Sequence, residues 1–309
     1  MLIVLGLLAC VGNRQRAALG WSLGGEAHVF VASDDFARDF YHRLTGKRNL
    51  QDALEGRRLV TVDPRNARGA TVLSANGAAL ARLTLARFHA PQTCGYAGVV
   101  TELVLAFPPG GTAGRSAPAS HVSVVALLDA PPFAGGAGST RPALSTAAAR
   151  TLARRVADRA EQATRGPVLG LLHPLALDAD QAADAGEVVA LGSRYGVGFR
   201  ATFVSANAED TTLITGVATT DTALHQVRWV VRPRRLRLRG GIIGSASSSA
   251  RSAVRYSLRG AVAGPGSGSN MLLLIDEFAD VSTRDSRATA VDQETRRVVV
   301  AQPLALRCP

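Results

Sequence analysis

Lysine is nearly missing from this chain of 309 residues. Lys47 is the only one, so arginine makes up the rest of the 35 basic residues behind a net charge of +11. Abundant alanine, glycine and valine show the same bias, that of a GC-rich genome, and a codon bias supplies arginine without any selection for phosphate contact. Aromatic residues are scarce at 5%, and proteins that grip single strands need aromatic platforms for the bases. No specific nucleic-acid partner is expected despite the basic charge.

Cysteine is scarce too. Cys10, Cys94 and Cys308 form no CxxC pair, which removes the spacing used by zinc ribbons and redox motifs, so a zinc site is not expected. GGTAGRSA has no lysine to meet a phosphate, GSRYG and GSASS lack the spacing of a nucleophile elbow, and HExxH does not occur. The six histidines stand singly at positions 28, 42, 89, 121, 173 and 225. A lone histidine is more often a satisfied structural residue than a ligand. These absences leave no catalytic signature and no cofactor motif, so catalytic residues and cofactors are expected to be none.

What is present begins with 47% hydrophobic residues, enough to bury a large core as one domain or two. Residues 2 to 9 form an apolar run too short to span a bilayer but as long as a signal-peptide core. The Leu7-Leu8-Ala9-Cys10 stretch that closes it resembles the lipobox of bacterial lipoprotein precursors. That resemblance covers only these residues and their apolar prefix. It implies removal of residues 1 to 9, a lipid on Cys10, and a mature protein anchored at a membrane surface outside the cytoplasm. The alternative is a buried first strand in a cytoplasmic protein. If Cys10 is so used, Cys94 and Cys308 are left as an even pair; a bridge there would close a loop of about two hundred residues, worth about 4 to 5 kcal/mol, in an oxidising compartment.

Along the body, EAHVFVAS alternates as a strand, and SDDFARDFYHRL reads as a helix capped by Ser33 with Asp34 and Asp35 in its first turn. Residues 59 to 62 form a strand, and Asn76-Gly77 joins two more in a hairpin. GVVTELVLAF and HVSVVALLDA follow as strands, with Pro- and Gly-rich loops at 108 to 120 and 131 to 140. Residues 145 to 164 form the clearest helix, capped by Ser145, with Leu152, Val156 and Ala160 on one face. Nearly everything after it reads as strand: GPVLGLL, EVVALG, VGFRATFVS, TTLITGVAT, HQVRWVV, RRLRLRG, AVRYSLRGAV, NMLLLIDEF and RRVVVAQPLAL, with flexible compositions at 244 to 252 and 264 to 269. No fixed-period repeat is visible.

The fold class is therefore α+β and β-rich, with largely antiparallel sheets arranged as a sandwich, curled sheet or open barrel and a few helices. The divisions are a signal segment at 1–9, a mixed part at 10–140, and a helix followed by strands at 141–309, which joins the mixed part or stands alone.

Two stretches carry candidate binding residues. RWVVRPRRLRLRGG at 228 to 241 holds six arginines, and Arg235, Arg237 and Arg239 alternate with Leu236 and Leu238. The leucines then face a core and the arginines solvent, along an edge marked by Pro233. Trp229 is expected in the core. Arg232, Arg234, Arg235, Arg237 and Arg239 are the candidates for contact with a polyanion. In LDADQAADAGEVVAL, Asp178, Asp180, Asp184 and Glu187 are candidate oxygen ligands for a hard cation. The stretch resembles DxDxDG-type calcium loops, but alanine stands at the fifth position and the glycine is displaced. A capped turn or acidic surface loop is the alternative, and IDEFAD ends a strand.

The function expected is that of a non-enzymatic envelope lipoprotein, a structural, interaction or ligand-binding module held to a membrane by its lipid. Its partner would be an anionic envelope polymer or another protein. A hydrolase of an envelope polymer, with a site assembled only by folding, and a non-specific polyanion binder are the alternatives.

Overall fold

The structure is a computed structural model that describes residues 17–55, 59–63, 69–75, 77–108, 122–128, 143–164, 176–177, 187–204, 210–239, 255–264, 270–278, 286–304, 306 and 308. Cys10 and its apolar prefix, Asp178, Asp180, Asp184 and GPVLGLL lie outside the described residues.

The first half builds a closed barrel. Its strands are β1 (Ala17–Leu23), β2 (Glu26–Ala32), β4 (Gly69–Ser74), β5 (Gly77–His89), β6 (Val100–Ala106) and β7 (Val122–Leu127), with β3 (Leu59–Thr61) on the outside of β5. All pairings are antiparallel, and β6 bonds both β2 and β5, which closes six strands in the order β5-β4-β7-β1-β2-β6. A barrel of this size has room only for side chains, and small residues fill it: Ala18, Ala27, Ala70, Ala81, Ala86 and Ala126 are all buried there. Closure also leaves each of the six strands paired on both sides.

The amino-terminal helix α1 (Asp34–Thr45) and the short α2 (Gln51–Glu55) add to this core. Ser33 caps α1 as its composition implies: its Oγ accepts from Phe36 N at 3.2 Å, and Gly46 at φ 71° ends the helix. Asp34 Oδ1 accepts from Val99 N at 2.6 Å, tying the first turn to the start of β6. Tyr41 meets Phe88 edge to face, with ring centroids 5.4 Å apart.

The second half forms two sheets and one helix. β8 (Ala176–Leu177), β9 (Val188–Leu191), β10 (Arg194–Val204), β11 (Asp210–Thr220) and β12 (Arg228–Arg239) make a five-stranded sheet in which β9 and β8 pair the two ends of β10. β13 (Arg255–Ala263), β14 (Met271–Phe278), β15 (Arg287–Asp292) and β16 (Val298–Pro303) make a four-stranded meander. Helix α3 (Thr146–Thr164) covers one face of the five-stranded sheet with Leu152, Val156 and Ala160 against Val197, Phe199 and Ile214. Ser145 caps it, its Oγ accepting from Ala148 N at 3.3 Å.

These parts stack in layers: α3, the five-stranded sheet, the meander, the barrel wall. The middle position of the meander explains MLLLI, an apolar run without alternation. Leu273 and Ile275 pack towards the five-stranded sheet with Val217 and Leu258, while Leu272 and Leu274 pack towards Leu19, Leu73 and Val125 on the outside of the barrel. A strand covered on both faces has no polar side to present. Gly198 sits at a close approach of the two sheets; a Cβ there would lie 2.7 Å from Leu258 Cβ.

The β-rich, antiparallel reading thus stands, and the barrel is closed. Four elements lie outside the strands and helices read from the sequence: β1, α2, β8 and β15, whose RATAVD is short and half polar. HQVRWVV and RRLRLRG form one continuous strand through Pro233, not two, with register shifts opposite Gly216 absorbing the irregularity.

Candidate functional site

The densest chemistry lies on the outer wall of the barrel, and a bulge puts it there. Inward residues of β5 are Ala81 and Leu83, then Ala86 and Phe88, so the alternation changes parity where the register shifts between Leu83 and Leu85. Thr84, the extra residue, donates its hydroxyl to Val104 O at 3.1 Å. Had the strand run regularly, Arg87 and His89 would point into the barrel; the bulge turns both outwards.

There they meet Glu102 of β6, which lies opposite Arg87 in register. Glu102 is 5% exposed, a carboxylate set in the apolar stretch VVTELVLAF. Its two oxygens are fully engaged. Oε1 accepts from His28 Nδ1 at 2.8 Å, Oε2 accepts from His89 Nε2 at 2.9 Å, and Arg87 Nη1 stands 3.4 Å from Oε2. Burial pushes the Glu102 carboxyl up, but the hydrogen bonds from His28 and His89 and the charge of Arg87 outweigh it and lower the pKa to about 2. Glu102 is therefore ionised throughout the ordinary pH range. The Trp21 ring stacks on His28, with centroids 4.1 Å apart and planes 16° from parallel.

His89 faces a second group. Tight turns after β5, with Gln92 at φ 71° and Gly95 at φ 73°, bring Cys94 back under it. Cys94 and Cys308 lie at disulfide distance, 214 positions apart in sequence, with Cα atoms 4.4 Å apart. A ring nitrogen of His89 and the two sulfurs all fall within 4.8 Å of one another. The wall thus carries a chain of contacts from Trp21 through His28, Glu102 and His89 to the cysteine pair.

Beside it is a cleft of about 190 Å³ between the barrel wall and the meander. A curved wall against a sheet leaves a wedge, and here Trp21, Phe30 and Ser123 line one side, with Arg259, Asp276 and Gln302 on the other; Cys308 borders it. Arg259 and Asp276 form a bidentate pair, with N···O distances of 2.7 and 3.1 Å to Oδ2 and 2.8 Å to Oδ1. Aromatic walls with a few fixed polar groups can orient a small ligand.

The residues singled out from sequence are dispersed. Glu187 holds Ser257 Oγ at 2.9 Å from each oxygen, so its carboxylate serves a link between strands. Arg232 and Arg234 are exposed; Arg234 lies over the Tyr256 ring at 5.8 Å and 3.8 Å from Glu277. Arg235 sits opposite Ile214, on the side covered by α3, and is half-buried, with Nη2 out of solvent and no partner among the described residues. The side chains of Arg237 and Arg239 lie outside the described residues. Trp229 packs against Phe199, ring centroids 5.9 Å apart. Among the described residues no helix is long and apolar enough to cross a membrane, which says nothing of strands.

Sequence spacing leaves His28 and His89 as lone histidines and gives Arg87 and Glu102 no role, because strand pairing brings the four together. The legible hints were an acid inside an apolar strand and the His-x4-Cys spacing of HAPQTC.

No family model, curated protein or solved structure matches this chain. Its own geometry defines it as a β-rich α+β protein: a closed antiparallel barrel backed by two sheets and a helix, with a buried carboxylate–histidine cluster and a cysteine pair on the barrel wall.

Proposed function

We propose that the protein is an exported, lipid-anchored envelope protein whose body is a non-enzymatic ligand-binding module. The observation that carries this reading is the Cys94 and Cys308 pair at disulfide distance. Such a bond persists in oxidising compartments and is rare where thiols are kept reduced. It also leaves Cys10, at the end of the lipobox-like LLAC, as the cysteine free to take a lipid. The ligand site is the cleft at Trp21 and Arg259, whose aromatic and ionic lining suits one unit of an envelope polymer.

The test is the intact mass of the protein taken from the cells that make it, with fractionation of a Cys10→Ser variant. Loss of residues 1 to 9, an added diacylglyceryl group and a gain of about two mass units on reducing one disulfide are expected, and Cys10→Ser should leave the membrane fraction. A full-length, unmodified, fully reduced chain whose fractionation ignores Cys10 would sink the reading.

A further inference from the structure

The geometry points to a redox-gated metal site: when the cysteine pair is reduced, Cys94, Cys308 and His89 bind one zinc-type divalent ion on the barrel wall. All three ligand atoms already lie within 4.8 Å of one another, and Cys94 and His89 are buried at 1% and 5% exposure. Two thiolates and an imidazole form a donor set that zinc takes readily, and a site with three protein ligands keeps one position open.

Glu102 is what distinguishes this arrangement from a disulfide that happens to lie near a histidine. His89 Nε2 lies 2.9 Å from Glu102 Oε2, so the carboxylate engages one ring nitrogen and Nδ1 is the one left for an ion. Carboxylates hold metal-bound histidines in this manner, fixing tautomer and ring plane. Glu102 is itself fixed by His28 and Arg87, so the imidazole is preorganised with or without the ion. Cys308 borders the cleft between barrel and meander, which gives both a reductant and an ion a path to the sulfurs.

The chemistry balances with a dithiol as reductant. The dithiol gives two electrons and two protons to the Cys94–Cys308 bond and closes to its own disulfide; zinc binding then releases the two thiol protons to solvent. A small-molecule disulfide reverses the exchange: it takes two electrons from the two thiolates and two protons from solvent to become a dithiol, and the re-formed Cys94–Cys308 bond releases the ion. The site goes beyond the envelope-protein reading, because it turns a structural bond into one of two alternative states.

The test is a titration of the full chain with Co²⁺ alone, reduced and oxidised, followed by the thiolate-to-cobalt charge-transfer absorption. The reduced protein should bind one Co²⁺, displaceable by Zn²⁺, and the oxidised protein none. Glu102→Gln should weaken binding by about 10- to 100-fold, and His89→Ala or Cys308→Ala should remove the tight site. A reduced, folded chain without the absorption band overturns the proposal, as does a band that survives Cys94→Ala. If reduction unfolds the chain, recovery of near-UV circular dichroism on adding Co²⁺ supports the site and failure to recover refutes it. These outcomes are independent of membrane fractionation, so the metal site and the export reading fail separately.

Discussion

Replacing Glu102 by glutamine removes the charge on which three basic groups converge. The carboxyl's pKa falls from 4.5 to about 2 on folding, and at about 1.4 kcal/mol per pH unit that difference is worth about 3 kcal/mol. The sign follows from the direction. A lowered folded-state pKa contributes its full stability above 4.5 and loses it as the pH falls towards 2. Glutamine keeps the shape but loses the charge paired with Arg87 and turns one of the two acceptors that face His28 and His89 into a donor. Urea unfolding of the oxidised protein should show Glu102→Gln less stable by about 3 kcal/mol at pH 7. Between pH 4.5 and pH 2 the wild type should lose stability faster, so that the two curves converge. Equal stability at pH 7, or a constant gap down to pH 2, would refute the claim that Glu102 is a buried, ionised anchor.

Other expectations follow from the packing. Replacing both Cys94 and Cys308 by alanine should cost up to about 5 kcal/mol from the chain entropy of so long a loop, read as a lower urea midpoint with the oxidised wild type as reference. Gly198→Ala should cost about 1 to 3 kcal/mol, because its Cβ would meet Leu258 Cβ at 2.7 Å; an unchanged midpoint would show that the two sheets separate freely. Leu272→Ala should cost about 2 to 5 kcal/mol, since Leu272 is fully buried between meander and barrel. Arg259→Ala should alter ligand affinity at the cleft more than stability, because the Arg259 side chain is 44% exposed; a stability loss without any change in binding would make its pair with Asp276 structural.

Much of the fold was legible because local signals were strong. The Ser33 and Ser145 caps, the Asn76-Gly77 hairpin and the fourfold spacing on α3 each rest on residues within one turn or one helix face. RATAVD and the strand at Ala17 give little local signal: the first alternates weakly, and the second begins a few residues after the stronger apolar run at 2 to 9. The site was less legible than the fold. His28, His89 and Glu102 sit on three different strands, and a bulge of one residue decides which side of the wall two of the participants occupy. Sequence spacing holds no record of that register. The arginine row was misleading for a related reason: alternation tells that two faces exist, but not that α3 covers the one carrying Arg235.

A bond between Cys94 and Cys308, which lie at disulfide distance, also bears on how the molecule would come apart. The five-stranded sheet, the meander and α3 all lie in sequence between its two ends. One peptide cut anywhere in that span opens the ring without releasing a fragment, and the two pieces travel as a single mass until a reductant reaches the sulfurs. A protease acting alone in an oxidising compartment would therefore leave a nicked protein of unchanged composition, and shedding of the carboxy-terminal layers would need two agents acting in concert.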